Sequence, residues 1–369
     1  MNPASAALKF GVDGRLVTVR PTGSGNVNDT YIAVLRTTFC ENRFILQRLN
    51  RNVFRAPEKI MHNMRVMTEH AHTKLEAEAD EADRIWQLPQ IIPTHDEQDF
   101  LHNGQGDCWR AISLIASARS YERVQNLEHA HEAGLVLGHF HRIVSDMATD
   151  CLEDPIPGFH DTPLYLQQMD ETLKDPEAVE RARSSSEAKR CMRFIDERRD
   201  IASVLQDALG RGDLSTRPIH GDPKISNIMI DEDTGKGTSI IDLDTVKPGL
   251  IHYDFGDCLR SCCNPAGEEV LDLNDVYFDT DLCEAIVRGY GKFGRMFLTD
   301  GDFQYLYDSV RLLAFELGLR FFADYLAGDR YFKVRYDGQN LNRARVQFRL
   351  CESIETREPK IRRIIDSVY

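Results

Sequence analysis

Five polar side chains in the segment 219–245 have the types and spacing needed for proton transfer and for binding a metal ion. They are His220, Asp222, Asn227, Asp242 and Asp244. Two apolar stretches flank a polar turn in this segment, which predicts a hairpin that brings the five side chains into one small volume. The Asp222 carboxylate could accept a proton from a substrate hydroxyl. Asn227 and Asp242 offer hard oxygen ligands of the kind that Mg2+ prefers.

The spacing within this segment is typical of the catalytic segment of kinases. Asn227 follows Asp222 by five positions and Asp242 follows Asn227 by fifteen. In kinases these positions hold the base, a metal-binding amide and a metal-binding carboxylate. The alternative is a hairpin with acidic turn residues, which a single His-x-Asp motif would favour. The full spacing on two short strands favours phosphoryl transfer.

A glycine-rich turn lies upstream between two predicted strands, 16–20 and 32–35. Gly23 and Gly25 stand in that turn. Glycines in hairpin turns more often serve a positive φ than phosphate binding. However, kinases carry a glycine-rich hairpin ahead of the catalytic segment, and its backbone N–H groups can cover phosphates. We therefore predict that Gly23 and Gly25 contact a nucleotide.

The third predicted strand, 43–49, lacks the lysine with which kinases hold the α- and β-phosphates. It offers Gln47 and Arg48 instead. Because side chains alternate along a strand, one of the two faces the nucleotide. Arg48 would keep the charge, whereas Gln47 would leave only a hydrogen bond, and the alternation alone does not choose between them. The helix that follows carries Arg65 where a glutamate partner is expected, which predicts that the Lys–Glu ion pair is absent or replaced.

A small, polar stretch at 115–120 predicts a connection between two lobes. We place the boundary at residue 115. This gives an N-terminal nucleotide-binding lobe, residues 1–115, and a C-terminal catalytic and substrate-binding lobe, residues 116–369. An adenine would stack against such a hinge and bond its backbone, so Leu114 and Ile115 are predicted nucleotide contacts.

Composition limits the partners of the chain. Its net charge of −14 argues against binding to a nucleic-acid backbone. No stretch approaches the roughly 18 apolar residues of a membrane span. The nine cysteines lack paired spacing, and the first residues do not have the pattern of a secretory leader. We therefore expect reduced thiols and a cytoplasmic location.

Downstream of the hairpin, two segments carry further candidates. Asp254 precedes Phe-Gly-Asp, and we interpret it as a helix cap or as a residue that orients the catalytic segment, in preference to a substrate contact. The stretch 316–332 mixes arginine and aromatic residues near a predicted helix end. Within it, Arg320 and Tyr331 are the candidates for a pocket, and the neighbouring apolar residues are predicted core.

Taken together, these motifs resemble the aminoglycoside phosphotransferase and choline kinase superfamily. The chain further resembles the N-acetylhexosamine 1-kinases, which phosphorylate the anomeric hydroxyl of free amino sugars. The matching segments are Gly25-x-x-Asn28-x-Thr30-Tyr31, Phe44-Ile-Leu-Gln47, His220-Gly-Asp222 with Asn227, Ile241-Asp242-Leu-Asp244, and Arg320-Phe-x-Ala-Asp324-Tyr-Leu-x-Gly-Asp329-x-Tyr331-Phe332. A glutamine in the third strand is also seen in these relatives.

The resemblance implies a protein-kinase-like two-lobe α+β fold, with a small β-rich N-lobe and a larger helical C-lobe. It implies ATP as phosphoryl donor, Mg2+ as cofactor, a sugar-like small molecule as acceptor, and a monomer or weak homodimer. Asp222 would be the base, and Asn28 would contact the nucleotide. Asn227 and Asp242 would bind Mg2+, with Asp244 as a further candidate ligand. Arg320 and Tyr331 would bond the sugar hydroxyls, and Asp222 would also meet the acceptor.

Two positions depart from the sugar-kinase pattern, and both are expected near the 2-acetamido group. Asn26 stands where these relatives carry histidine, and Ser261 stands where they carry an aromatic residue. The two departures predict that the pocket around the 2-acetamido group is smaller and more polar than in these relatives.

Two alternatives stay open at this stage. One is a kinase for another small hydroxyl compound, such as an aminoglycoside, choline, ethanolamine or homoserine. For such cationic acceptors, carboxylates between Asp254 and Asp257 and between Asp324 and Asp329 would be recruited. The other is a non-catalytic nucleotide-binding relative, which only the missing strand lysine supports.

Overall fold

The computed structural model describes residues 1–23, 27–51, 53–78, 84–102 and 106–368. The strands are β1 (Arg15–Pro21), β2 (Asp29–Arg36), β3 (Glu41–Leu49), β4 (Ile91–Ile92), β5 (Leu101–His102), β6 (Cys108–Ser113), β7 (Ala118–Arg119), β8 (Arg217–Ile219), β9 (Ile228–Asp231), β10 (Gly237–Ile240) and β11 (Lys247–Gly249). The helices are α1 (Pro3–Ala7), α2 (Pro57–Glu78), α3 (Leu127–Val144), α4 (Thr162–Thr172), α5 (Pro176–Arg183), α6 (Ser186–Asp196), α7 (Val204–Arg211), α8 (Ile251–Cys262), α9 (Thr280–Gly294), α10 (Asp300–Ala327), α11 (Gln339–Thr356) and α12 (Glu358–Asp366). The mixed α+β class expected from the sequence is confirmed.

The N-terminal sheet is antiparallel, with the strand order β1-β2-β3-β6-β4 and β5 paired to β6. We call this sheet with α1 and α2 the sheet lobe, and the remainder the helical lobe. Alternation along β3 separates two faces of the sheet. Phe44 and Leu46 pack with Trp109 in a core that α1 covers. Ile45 lies on the opposite face and packs against the main core of the protein.

The same alternation resolves the choice between Gln47 and Arg48. Arg48 shares the outer face, is exposed, and pairs with Asp29 and Asp107. Gln47 lies on the inner face with Ile45, opposite Arg110 on β6. Gln47 is therefore the residue of β3 that faces the helical lobe.

The helical lobe is built around close packing of α3 on α9. A Cβ on Gly134 would lie 1.9 Å from the carbonyl oxygen of Ile286, and one on Gly289 would lie 2.0 Å from that of His131. Because the two helix backbones are in direct contact here, neither position has room for a side chain larger than that of glycine. This brings His141, one turn beyond Gly138 on α3, beside the catalytic segment described below.

The long helix α10 begins with a capping box formed by Thr299 and Asp302. It ends at Gly328, which adopts a left-handed conformation with φ of 87°. Glu316, Arg320 and Asp324 follow each other at four-residue spacing and so lie on one face of this helix. We call these three residues the polar face of α10.

A buried asparagine connects α2 to the helical lobe. The Asn63 amide nitrogen donates to the carbonyl oxygens of Glu153 and Val246, both at 2.8 Å. Its amide oxygen accepts from the N–H of Glu153 at 2.9 Å. Both groups of the Asn63 side chain are therefore bonded across the junction, which ties α2 of the sheet lobe to the helical lobe.

All nine cysteines are free thiols in this structure. Cys40 on the sheet lobe is exposed, Cys151 on the helical lobe is half-buried, and the other seven are buried. Within the described ranges, no helix combines the length and the apolar character needed to cross a membrane.

Candidate active site

The predicted hairpin forms from β9 and β10 and delivers the five polar residues to the junction of the lobes. The loop 220–222 that precedes it is held by the carboxylate of Asp254 on α8. One oxygen accepts from the N–H of His220 at 2.6 Å and the other from the N–H of Gly221 at 2.7 Å. Gly221 has a φ of 85°, and a Cβ there would lie 2.8 Å from the carbonyl oxygen of Thr245. Asp254 therefore orients the catalytic segment, one of the two structural roles predicted for it.

Asp254 is completely buried and receives a further hydrogen bond from α3. Nε2 of His141 lies 2.9 Å from Oδ2, and Nδ1 of His141 lies 3.0 Å from the Tyr290 hydroxyl. Burial alone would raise the pKa of Asp254. The hydrogen bonds from His141 and the backbone outweigh it and hold the pKa below its usual range. The residue is an anchored carboxylate with no free oxygen for a substrate.

His220 braces the loop from inside. Its Nδ1 accepts from the N–H of Asp222 at 3.2 Å, and its Nε2 donates to the carbonyl oxygen of Ile241 at 3.0 Å. Burial lowers the pKa of His220, so the neutral imidazole needed for this pair of bonds is stable. Asp222 is thereby tied to the end of β10, directly before Asp242.

The Asp222 side chain is accessible, with 31% of its surface exposed, and it lies beside Lys224. Lys224 Nζ donates to its Oδ2 at 2.6 Å. Confinement in the cleft opposes the charge of Lys224, but the carboxylates of Asp222 and Asp242 outweigh that effect and raise its pKa. Sequence reasoning missed Lys224. Its only signal is its position two residues after the predicted base.

Asn227 has the orientation that a metal-binding amide requires. Its amide nitrogen donates to the backbone oxygen of Asp222 at 2.7 Å and approaches Oδ2 of that residue at 3.3 Å. Because the nitrogen is anchored in this way, the amide oxygen is directed away from Asp222. The backbone oxygen of Asn227 accepts from the N–H of Ile241 at 2.8 Å, which places Asp242 alongside.

The Asp242 carboxylate is the group in this cleft whose negative charge a bound cation would stabilise most. Among the described residues it has no hydrogen bond or ion pair, although it lies between charged neighbours. The residue is exposed to the cleft, and its backbone adopts a left-handed conformation with φ of 67°. Enclosure by the surrounding protein, followed by the charge of Asp244, raises the pKa of Asp242 to about 7.

An amide oxygen and a crowded carboxylate fit Mg2+, which takes few protein ligands and completes its shell with waters and phosphates. In the described part of the chain, no group of three or more His, Cys, Asp or Glu side chains is arranged to hold a metal. A cation at Asn227 and Asp242 would therefore depend on the phosphates of a bound nucleotide.

Asp244 has partners other than the predicted metal. Its Oδ2 accepts from the Asn28 amide at 2.7 Å, and its Oδ1 lies 2.5 Å from Nη2 of Arg110. Both partners belong to the sheet lobe. Asn28, a predicted nucleotide contact, also accepts from the N–H of Asn50 at 3.0 Å. In this arrangement Asp244 joins the two lobes, with one oxygen hydrogen-bonded to Asn28 and the other ion-paired with Arg110.

Arg110 is a second residue of the site that sequence reasoning missed. It lies on β6, its side chain is 1% exposed, and its Nε and Nη2 donate to Oε1 of Gln47 at 2.9 and 2.7 Å. The Gln47 amide donates in turn to the Thr30 hydroxyl at 3.1 Å. A charge within an otherwise apolar strand was the available signal.

The backbone after β6 differs in its hydrogen bonding from one residue to the next. Ala116 is already paired, because its N–H and its carbonyl oxygen bond the Gln87 side chain at 3.2 and 3.3 Å. Within the described residues, the backbones of Leu114 and Ile115 have no such partner. These are the two positions predicted to bond an adenine. Gly23 has a φ of 76°, as a turn requires; Gly25 and Asn26 lie outside the described residues.

Arg320 projects from α10 into a ring of aromatic side chains. Its guanidinium carbon lies 5.3 Å from the ring centre of Phe159, 5.1 Å from that of Tyr165 and 5.6 Å from that of Phe332. No hydrogen bond or ion pair to it is found in the described part of the chain. Burial disfavours its charge, but Tyr165, Glu316 and more distant acids raise its pKa. Arg320 is therefore a cation held by rings, with its N–H donors free.

The loop that carries Tyr331 is fixed by the next member of the polar face. The Asp324 carboxylate accepts from the N–H groups of Arg330, Tyr331 and Phe332 at 2.9, 2.8 and 2.9 Å. The Tyr331 side chain is 58% exposed, so it does not belong to the core, and its contact with an acceptor stays a prediction. Ser261 on α8 is half-buried, and its hydroxyl donates to the carbonyl oxygen of Cys258 at 3.2 Å.

A buried ion pair joins the polar face of α10 to the catalytic loop. Nδ1 of His160 lies 2.9 Å from Oε1 of Glu316, and its Nε2 lies 3.0 Å from the carbonyl oxygen of Gly221. Both acceptors favour a protonated ring. Burial lowers the pKa of His160, but Glu316 outweighs it and raises the pKa. Glu316, one turn before Arg320 on α10, is thus linked through His160 to the loop that carries Asp222.

A comparison with protein-family models agrees with this geometry. The model of the phosphotransferase enzyme family matches residues 18–289, about three quarters of the chain. The chain belongs to this family. The match covers the glycine-rich turn, Gln47, Arg110, the catalytic segment and α8 of this phosphotransferase.

Solved structures of similar fold are kinases and phosphotransferases. An aminoglycoside phosphotransferase from Alicyclobacillus acidocaldarius superposes with a TM-score of 0.58 at 14% identity, covering 100% of this chain and 97% of that one. A choline kinase from Cryptosporidium parvum gives 0.56 at 13%, covering 93% and 91%. A spectinomycin phosphotransferase in complex with ADP and spectinomycin gives 0.52 at 12%, covering 97% and 94%. At these identities the likeness shows the fold, which is the protein-kinase-like two-lobe fold that the sequence predicted.

Proposed function

We propose that this phosphotransferase moves the γ-phosphoryl group of ATP to a hydroxyl of a sugar-like acceptor, with the anomeric hydroxyl of a free hexose or N-acetylhexosamine as the first choice. The observation that carries the acceptor class is Arg320. Arg320 has no hydrogen bond or ion pair in the described part of the chain, and we assign its positive charge to the acceptor pocket. A cationic acceptor would be repelled there, whereas the hydroxyls of a neutral sugar would accept from its N–H groups.

The carboxylates that a cationic acceptor would need are already bonded. Asp254 holds the catalytic loop, and Asp324 holds the loop at Tyr331. Asp257 accepts from Arg260 at 2.8 Å, and Asp329 accepts from the Asn340 amide at 2.8 Å. This distribution of charge supports a neutral polyol over choline, ethanolamine or an aminoglycoside.

The donor side of the proposal rests on the cleft. In this proposal Asp222 accepts the proton of the attacking hydroxyl, and Lys224, which donates to Asp222, stabilises the negative charge on the phosphoryl oxygens. Mg2+ bound at Asn227 and Asp242 would neutralise part of the negative charge of the phosphates. The open backbone of Leu114 and Ile115 suits an adenine edge, and the ADP bound to the spectinomycin phosphotransferase supports ATP as the donor. The intact catalytic groups argue against a non-catalytic relative.

An acceptor panel tests the proposal. ATP consumption and phosphorylated product are measured with free hexoses, 2-acetamido hexoses, choline, ethanolamine and an aminoglycoside. We expect product with at least one free sugar and none with the amines. Turnover with an amine but with no sugar would contradict the sugar assignment and favour a kinase for cationic acceptors. Nucleotide binding without turnover on any acceptor would favour a non-catalytic binding protein.

Arg320→Gln is expected to raise the KM for the acceptor about 10- to 100-fold, because a hydrogen bond from a charged donor contributes roughly 1.5–3 kcal/mol. The KM for ATP should stay near wild type. Arg311→Gln is the matched control on the same helix, since Arg311 pairs with Asp308 away from the cleft. An unchanged acceptor KM in Arg320→Gln would remove Arg320 from the pocket.

Tyr331→Phe tests the second predicted acceptor contact by removing one hydroxyl. Tyr331 is largely exposed and its backbone is held by Asp324, so the substitution should leave the unfolding midpoint unchanged. A rise in the acceptor KM is expected with an unchanged KM for ATP. A loss of stability without a change in KM would indicate a packing role instead.

Asp242→Asn is expected to lower activity and to shift the Mg2+ dependence to higher concentration, so that added Mg2+ restores part of the loss. The amide keeps the size of the side chain but removes the charge that attracts the cation. Activity is titrated with Mg2+ at fixed ATP, with the exposed turn variant Asp233→Asn as control. Equal Mg2+ curves for the wild type and Asp242→Asn would contradict the ligand assignment.

A further inference from the structure

A buried arginine links the sheet lobe to the catalytic segment. Arg110 donates to Gln47 on the neighbouring strand and lies 2.5 Å from the Asp244 carboxylate across the lobe junction. The side chains of Arg110 and Asp244 are 1% and 3% exposed. An ion pair so completely removed from water is strongly dependent on both partners, because loss of one leaves an uncompensated buried charge.

The position of Asp244 gives this contact its significance. Asp244 lies two residues after Asp242, in the 3₁₀ turn Leu243–Thr245. Its other oxygen is held by Asn28, which directly follows the glycine-rich turn. The sheet lobe therefore holds, through Arg110 and Asn28, the short segment that carries the candidate metal-binding carboxylate.

The partner of Arg110 on β3 explains the unusual glutamine. Gln47 stands where kinases place a lysine, and its Oε1 accepts two hydrogen bonds from Arg110 at 2.7 and 2.9 Å. A lysine at this position would set an ammonium beside the guanidinium, and two buried like charges at hydrogen-bond distance repel strongly. An amide is compatible with the arginine because its oxygen accepts.

We propose that Arg110 is a positioning residue for the donor side of the reaction, which supplies from β6 the cation that other kinases supply from β3. It would act by fixing Asp244, and through it the segment of Asp242, against the sheet that covers the nucleotide. The inference rests on the proposed function for its donor, Mg2+ and ATP, and is independent of the acceptor.

Relocation of the charge tests this proposal. The variants are Arg110→Met, Gln47→Lys, the double variant Gln47→Lys/Arg110→Met, and Arg43→Met as control. Arg43 lies on β3, the strand that carries Gln47. Its side chain is 60% exposed and pairs with Glu41. The Kd for Mg2+–ATP is measured by calorimetry without acceptor, kcat and the KM for ATP are measured with the best acceptor, and thermal unfolding checks each fold.

We expect Arg110→Met and Gln47→Lys each to weaken Mg2+–ATP binding, the first by loss of the cation and the second by repulsion. The double variant should bind Mg2+–ATP about tenfold more tightly than Arg110→Met, since residues in direct contact couple by this order. Arg43→Met should match wild type. A purely structural arginine would not be rescued in nucleotide affinity by a lysine on the adjacent strand.

Two results would overturn the inference. One is an Arg110→Met variant with wild-type Kd and kcat, and the other is a double variant no better than Arg110→Met. If Arg110→Met does not fold, the double variant decides: a folded protein that binds Mg2+–ATP supports the inference, and an unfolded one overturns it. A failed acceptor panel overturns the proposed acceptor alone, because the calorimetric comparison needs no acceptor.

Discussion

Asp222→Asn is expected to lower turnover at saturating substrates by about 100-fold or more, the usual scale for loss of a general base. The amide keeps the shape of the side chain but does not take a proton from the acceptor hydroxyl. Mg2+–ATP affinity should stay near wild type, because the role proposed for Asp222 is with the acceptor hydroxyl and not with the nucleotide. Single-turnover and steady-state rates with calorimetric Kd values separate the two effects.

The exposed turn variant Asp233→Asn serves as the matched control for Asp222→Asn. It makes the same chemical change in the hairpin without touching the cleft, and it should behave as wild type. Near wild-type turnover by Asp222→Asn would show that another group takes the proton. A comparable loss in Lys224→Met would not identify a base, since Lys224 is charged and donates to Asp222.

Asp254→Asn is expected to destabilise the protein by about 3–5 kcal/mol, the range for breaking a buried charged pair. Every oxygen of this carboxylate accepts a hydrogen bond, from the N–H groups of His220 and Gly221 and from His141. In the variant an NH2 group must face one of these donors. Urea unfolding, extrapolated to water, gives the free energy of unfolding for comparison with wild type.

The second readout for Asp254→Asn is kcat, which depends on the position of the 220–222 loop that Asp254 holds. A misplaced 220–222 loop would lower kcat in any variant molecules that remain folded. Asp150→Asn, an exposed position on the helical lobe, should change stability by less than roughly 0.5 kcal/mol. Equal unfolding curves for Asp254→Asn and wild type would mean that the backbone N–H groups find other partners.

The parts of the site that sequence predicted well are those whose neighbours are close in the chain. Asp222, Asn227 and Asp242 converge because a short hairpin joins them, and its strands follow from a local apolar pattern. The same holds for the loop at Tyr331, which a nearby helix end positions. Such convergence needs only turn chemistry and strand alternation.

The parts that sequence could not predict depend on contacts between distant segments. Arg110 meets Gln47 and Asp244, which lie 63 and 134 positions away along the chain. His160 meets Glu316, which is 156 positions away. The alternation of side chains along a strand defines two faces but does not say which one is covered. The choice between Gln47 and Arg48 therefore depends on the packing of α1 against the face of Phe44 and Leu46.

The two accessible thiols of this protein lie on different lobes and could carry labels that report on the distance between them. Cys40 and Cys151 are the accessible pair among its nine cysteines, one on the sheet lobe and one beside the Asn63 junction on the helical lobe. Burial raises the pKa of Cys108 to about 11 and that of Cys191 to about 12, which keeps these thiols unreactive near neutral pH. A maleimide dye pair would therefore attach to the native chain without engineering. Energy transfer between the dyes would report any change in the distance between the two lobes.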